Sequence, residues 1–236
     1  MDRWRPHSLS SLSLLIQIAL IVTPTLTLMS IKNLIFDLGN VILRLDQAAT
    51  ANAFKALGAT QFPHLSQHAS SKTIVDYETG KISAEDFRLQ VRAAIGLPES
   101  VTDAEFDQAW NAMLLDFPKE RLELMRTLKK DLGYNVYLLS NTNAIHIEYV
   151  DRVCLKGYKE DTLHPFFDKV YYSHEIGHRK PSKEAFEHIL KDQGLKANET
   201  LFLDDMLENV EAAKKCALQA AQVDAETDLG FLQLRF

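Results

Sequence analysis

Five short apolar runs punctuate the chain, at Asn33–Leu38, Val136–Leu139, Val170–Tyr172, Leu201–Leu203 and Ala220–Val223. Each is continuous rather than alternating, which is the pattern of strands buried on both faces of a parallel sheet. Helical patterns separate the later runs. Right-handed crossovers then build an α/β fold, a doubly wound parallel sheet with a Rossmann-like core.

Residues 46–118 interrupt this rhythm without a strand candidate. Asp46 stands where it would cap a helix ending at Gly58. Ser83 with Asp86 forms a capping-box pattern ahead of Phe87, Val91 and Ile95, and Thr102 with Glu105 another ahead of Phe106, Ala109 and Trp110. Pro118 suits the first turn of a helix reaching Gly133. The spacing predicts a small helical cap domain over 46–118. It is inserted after the first strand of a core domain formed by 30–45 and 119–236. So placed, it covers the carboxyl edge of the sheet, where open α/β sheets bind ligands.

Residues 1–29 have another character. No Asp, Glu, Lys or Arg occurs between positions 6 and 31, and Arg3 and Arg5 precede the apolar run Leu12–Val22. The expectation is that Met29 is the functional start and the upstream stretch an extension. A secretory signal or a membrane anchor are the alternatives. With Met29 as start the protein is expected in the cytoplasm, without stable membrane association; a genuine leader would export or anchor it.

Composition narrows the function classes. The chain is 46% hydrophobic and 25% charged, as globular proteins are. With 26 basic against 32 acidic residues the net charge is −6, so no basic footprint for nucleic acid exists. Two cysteines, Cys154 and Cys216, exclude a disulfide framework and read as core thiols on amphipathic helices. The oligomeric state is left open.

Chemistry-bearing residues sit at four strand ends. Asp37 follows the first run, in Phe36-Asp37-Leu38-Gly39-Asn40-Val41, as a nucleophile or metal ligand would. Leu139-Ser140-Asn141-Thr142 brings a hydroxyl and an amide to a helix start, where N–H groups bind anions. Lys180 lies in a loop held by Pro181, with Ser182 placed to cap the next helix; a lysine there is a point charge for phosphate. Asp204 and Asp205 end the fourth run, with Asn209 shortly after. Adjacent acids repel unless a cation or donors offset them, and hard oxygen ligands suit Mg²⁺. Taken singly, each reads equally as a helix cap, a solvated loop or a turn.

Together and in this order the four resemble the motifs of the haloacid dehalogenase-like (HAD) hydrolases, most of which are phosphatases. The resemblance spans about residues 31–223. Phe36–Val41, Ser140–Asn143, Arg179–Pro181 and Glu78-Thr79-Gly80-Lys81-Ile82-Ser83 look closest to a bacterial subgroup that includes an α-glucose-1-phosphate phosphatase. The resemblance implies that Asp37 attacks phosphorus and forms an aspartyl-phosphate. It implies Mg²⁺ held by Asp37, the Gly39 carbonyl and Asp205, with Asp204 acting through water or hydrogen bonds. Ser140 and the Asn141 N–H would bind phosphoryl oxygens, and Lys180 would neutralise the charge shared by Asp37 and phosphate.

One position departs from the pattern. Most family phosphatases carry a second Asp two residues after the nucleophile, as general acid; this chain has Gly39. Its absence favours leaving groups that need little protonation, such as acyl or anomeric phosphates. Asp46, Glu78 and His68 are candidate substitutes, although Asp46 reads as a helix cap and the other two as surface residues. The reading is a Mg²⁺-dependent phosphatase of small phosphorylated metabolites, with sugar phosphates such as glucose 1-phosphate expected. The alternatives are a phospho-metabolite-binding protein with weak turnover and a 2-haloacid dehalogenase. Dehalogenation needs no metal, so the Asp204–Asp205 pair argues against the latter.

Some matches are discounted. His174-Glu175-Ile176-Gly177-His178 fits a zinc-protease string, but it follows a strand and contains a glycine. His146 reads as a surface residue, with the pocket mouth as alternative. Phe87, Phe106 and Trp110 recur at helical spacing and are expected in the cap core.

Overall fold

The computed structural model describes residues 31–61, 71–224 and 226–233. Expectations for residues 1–29 and for His68 lie outside them. Among the described residues no helix is long and apolar enough to cross a membrane.

Five strands form one parallel sheet: β1 (Asn33–Phe36), β2 (Asn135–Ser140), β3 (Lys169–Tyr172), β4 (Thr200–Asp204) and β5 (Gln219–Gln222). Their order is β3-β2-β1-β4-β5, so β1 is central and the chain winds outward in both directions. The apolar runs are continuous because both sheet faces are covered. Leu34, Phe36, Val136, Leu138, Leu201 and Leu203 enter one core, with helix residues Leu122 and Met125. The alternate residues Ile35, Tyr137, Leu139 and Phe202 enter a second core, with Phe186 and Ile189. Successive strand side chains point to opposite faces, and here each face meets helices.

Among the described residues, four helices lie between β1 and Pro118: α1 (Gln47–Ala56), α2 (Lys72–Glu78), α3 (Ala84–Ile95) and α4 (Asp103–Asn111). Asp46 caps α1 by accepting from the Ala48 N–H at 3.0 Å. Both capping boxes form, at Ser83/Asp86 and Thr102/Glu105. The apolar faces bury Phe54, Tyr77, Phe87, Phe106 and Trp110 in a cluster of their own, with Ile145 from beyond β2.

The two connections to this unit run side by side. Asp46 N–H donates to the Met113 carbonyl at 2.9 Å, and Leu115 N–H to the Arg44 carbonyl at 3.0 Å. The Arg44 guanidinium grips the Asp116 carboxylate through both oxygens. Being exposed, that pair orders the hinge more than it stabilises the fold.

The remaining helices are α5 (Lys119–Arg126), α6 (Ala144–Tyr149), α7 (Ser173–Ile176), α8 (Lys183–Asp192) and α9 (Leu207–Lys215). π-helical turns extend α5 over Thr127–Asp131 and α6 over Val150–Cys154. Pro118 is the N-cap of α5, just outside its predicted place in the first turn. Ser182 holds the N-cap position of α8, but its side chain makes no capping hydrogen bond. Cys154 is buried on a π-helical turn, and Cys216 is half-buried immediately after α9.

Candidate active site

The carboxyl ends of β1, β2 and β4 converge on one point. Asp37 is the first residue past β1, its N–H still donating to the Leu203 carbonyl of β4 at 2.9 Å. Asp204 ends β4 and Asp205 follows it. One carboxylate oxygen from each of Asp37, Asp204 and Asp205 lies within 4.8 Å of the others. Lys180 reaches this cluster from the loop before α8. Its Nζ donates to Asp37 Oδ1 at 2.6 Å and to Asp204 Oδ2 at 2.7 Å, and the residue is only 1% exposed.

Burial pushes Asp37 up to about 7; Lys180 pulls it down, while Asp204 and Asp205 push it further up. Asp205 is also raised, by burial first. Burial disfavours charged Lys180, but Asp37 and Asp204 outweigh it and hold the ammonium above its ordinary pKa. Three carboxylates thus face one ammonium. Like charges this close are tolerated when a cation or a proton joins them.

The two acids of the β4 end have different surroundings. Asp204 is fully buried and saturated: Oδ1 accepts from Met206 N–H at 2.8 Å and Asn209 Nδ2 at 3.0 Å, and Oδ2 from Lys180 and Asn209. A carboxylate has about four acceptor sites, and all are taken. Among the described residues Asp205 accepts one side-chain bond, from Asn40 Nδ2 at 3.1 Å. The oxygen-only donors fit Mg²⁺, with Asp37 and Asp205 as the carboxylates open to it.

Local geometry explains how the loops hold their places. Asn40 adopts φ 54°, a left-handed conformation that Asn tolerates better than most residues. Its Nδ2 bonds Asp205 and its Oδ1 accepts from Leu45 N–H at 3.2 Å. Asn141 pairs with the Lys180 backbone in both directions. Thr142 and Ser173 are joined the same way, N–H to Oγ at 2.9 Å and Oγ–H to carbonyl at 3.0 Å.

A cavity of about 150 Å³ opens over Gly39, Ser140, Asn141 and Thr142, roofed by Ile74, Glu78 and Trp110 of the helical insert. Leu43, Leu45, Met113 and Leu114 make its apolar walls. Trp110 lines the cavity, and its Nε1 is buried with no hydrogen-bond partner among the described residues. Trp110 therefore serves both the apolar cluster of the helical insert, with Phe87 and Phe106, and the cavity wall.

Two readings of the sequence are corrected. His146 is buried, not on the surface: it lines the cavity, stacks on Trp110 at 5.1 Å and bonds Asn111 Oδ1 through Nδ1 at 2.7 Å. Burial lowers its pKa to about 3, so it is neutral. Glu78 is not a surface residue either. It ends α2 beside Arg179, Oε2 to Nε 3.0 Å, and burial raises its carboxyl to about 7 against the pull of Arg179 and Lys180. In both cases a partner far along the chain buries a residue whose local pattern is polar. The zinc-protease string falls apart as a helical motif: α7 holds His174 but ends at Gly177, φ 73°, leaving His178 off the helix.

This constellation has a family. Residues 31–216 match the model of the haloacid dehalogenase-like hydrolases. The chain belongs to that family. A HAD family enzyme of Bacteroides thetaiotaomicron, solved as the wild-type protein with magnesium and inorganic phosphate, aligns over 86% of this chain and 98% of its own. Its TM-score is 0.76 and its identity 33%. The D-ribitol-5-phosphate phosphatase of Bacteroides thetaiotaomicron is 32% identical over 201 residues, covering 84% of this chain and 94% of that protein. A sesquiterpene phosphatase of Aspergillus oryzae is 34% identical over 184 residues, 78% of this chain and 85% of its own.

Proposed function

We propose that this HAD hydrolase is a Mg²⁺-dependent phosphatase of small phosphorylated metabolites, working through an aspartyl-phosphate on Asp37. The observation that carries this is Lys180, buried between Asp37 and Asp204 beside a second, less engaged acid, Asp205. An anionic nucleophile and an anionic phosphate repel, so the site must supply positive charge. Lys180 supplies one. Asp37, Asp205 and the Gly39 carbonyl would hold Mg²⁺, which when bound offsets the charge on both reactants.

The other residues position. Ser140 and the Asn141 N–H hold phosphoryl oxygens at the start of the turn into α6. Asp204 fixes Lys180 and is itself fixed by Met206 and Asn209. The helices of 46–118 act as a cap, closing the cavity against water. Asp37 attacks phosphorus along the line of the leaving oxygen, and water then releases phosphate.

For the substrate, a sugar or polyol phosphate is the finer reading. Neutral His146 on the cavity wall offers a hydroxyl contact, and one relative takes D-ribitol 5-phosphate. The apolar walls favour a second reading, an ester with a compact apolar group, in keeping with the sesquiterpene phosphatase. Inorganic phosphate release from a panel of sugar, polyol, acyl, prenyl and alkyl phosphates, with Mg²⁺ and with chelator, separates them. Metal-dependent release supports the phosphatase. Tight binding without release would mean a phospho-metabolite-binding protein, and halide release from 2-haloacids a dehalogenase.

A further inference from the structure

Phosphate ester cleavage leaves an alkoxide unless a proton is delivered to the leaving oxygen, and position 39 has no side chain to deliver it. A Cβ on Gly39 would fall 2.7 Å from Leu45 Cδ1, so a side chain there would have to displace the Leu45 methyl. Asp46 is committed to its helix cap and is exposed. His146 lines the cavity, but it is neutral and its Nδ1 is bound to Asn111, so it has no spare proton to give.

Among the described residues that line the cavity, Glu78 is the remaining acid. It hangs from the cap, opposite the phosphate-binding turn of Ser140 and Asn141. In-line attack by Asp37 from the sheet edge turns the leaving oxygen away from the sheet, toward the cap. Arg179 holds the Glu78 carboxylate in place, 3.0 Å from Nε to Oε2, without an aligned hydrogen bond between these atoms.

Resting on the phosphatase reading, we propose that Glu78 is the proton donor to the leaving group, carried by the cap instead of the nucleophile loop. As the Asp37 oxygen bonds to phosphorus, the ester P–O bond breaks. Its electron pair goes to the leaving oxygen, which takes the Glu78 proton and departs as an alcohol. In the second half water attacks the phosphorus of the aspartyl-phosphate and gives its proton to the Glu78 carboxylate. Asp37 leaves as a carboxylate, and hydrogen phosphate is released. The charged groups nearest Glu78 are Arg179 and Lys180; its raised pKa lets a protonated fraction exist near neutrality. A donor on the cap also couples the chemistry to cap closure, since an open cap removes the acid from the site.

The test compares leaving groups. Glu78→Gln should lower kcat/KM for the fastest alkyl phosphate of the panel by about 10²–10⁴-fold and leave kcat/KM for p-nitrophenyl phosphate, whose phenolate leaves unaided, nearly unchanged, while kcat for both falls where hydrolysis of the common aspartyl-phosphate limits turnover. Glu78→Asp, which keeps the acid but shortens its reach, should show the same split in smaller measure, and it serves if the Gln variant does not fold. Arg179→Gln should slow both esters alike, because the acid remains. Equal loss of kcat/KM on both esters in Glu78→Gln, or no loss of kcat/KM on either, would overturn the assignment and leave the phosphatase reading intact. If the wild-type protein cleaves neither ester, the phosphatase reading fails and the proposal fails with it.

Discussion

The side-chain amide of Asn141 donates to the Lys180 carbonyl and accepts the Lys180 N–H, both at 2.8 Å. Thirty-nine residues apart, the two loops are thereby locked in register, and Lys180 reaches Asp37 and Asp204 from a fixed backbone. Asn141→Ala removes both bonds. Stability should fall by about 2 kcal/mol, two hydrogen bonds at about 1 kcal/mol each. Misplacing Lys180 should cost kcat about 10–100-fold. Steady-state kinetics alongside urea unfolding check both; an unchanged kcat would show that the clamp does not position Lys180.

Removing the metal should expose the acids of the site in the pH dependence of stability. Asp37 in the folded, metal-free protein sits at about 7 against an ordinary 3.8. Glu78 is also raised to about 7, from 4.5. A raised acid stabilises the folded state fully below its unfolded pKa, and that contribution is lost as pH rises through its folded pKa. The melting temperature of chelator-treated protein should therefore fall between about pH 4 and about pH 7 on account of these groups. Asp37→Asn should flatten the fall, and Mg²⁺ should raise the melting temperature most at the alkaline end, where it no longer competes with a proton.

His146 works in the opposite sense. Its folded pKa of about 3 lies below the ordinary 6.5, so its contribution is present above 6.5 and is lost as pH falls toward 3. In His146→Gln the deficit relative to wild type should shrink between about pH 8 and about pH 5. Paired thermal melts at the two pH values measure it. A constant deficit would mean that His146 titrates normally.

Gly80 lies where the helical insert meets α7. Its φ is 67°, and a Cβ there would stand 2.3 Å from the His174 carbonyl oxygen, a backbone atom with little freedom to yield. Gly80→Ala should cost at least about 1–2 kcal/mol from the left-handed backbone alone. It should also raise KM, because the loop carrying Glu78 must lift from α7. Denaturant unfolding and substrate saturation curves test the two effects separately.

The layout of these residues follows from what a sequence does and does not display. Strands β1 and β4 were legible because burial on both faces leaves continuous apolar runs, and the capping pairs Ser83/Asp86 and Thr102/Glu105 because both members lie within one turn. Asp37, Lys180 and Asp204–Asp205 were legible as strand-end chemistry in a fixed order. The bonds that organise them were not. Asn40 to Asp205, His146 to Asn111 and Glu78 to Arg179 join residues 165, 35 and 101 positions apart, and no local pattern marks them. Asn40 did carry one readable hint: an Asn after Gly in a tight loop suits a left-handed backbone. Glu78 carried none, since a charged residue at a helix end normally faces water.

The most direct measurement of the central claim is acid-quench mass spectrometry of the protein mixed with its best phosphate ester and Mg²⁺ in a single turnover. The account predicts a transient phosphoryl adduct on the peptide holding Asp37, formed and lost at the rate of phosphate release and missing in Asp37→Asn. Phosphate released at full rate with no adduct at any time, or an adduct on another residue, would contradict it.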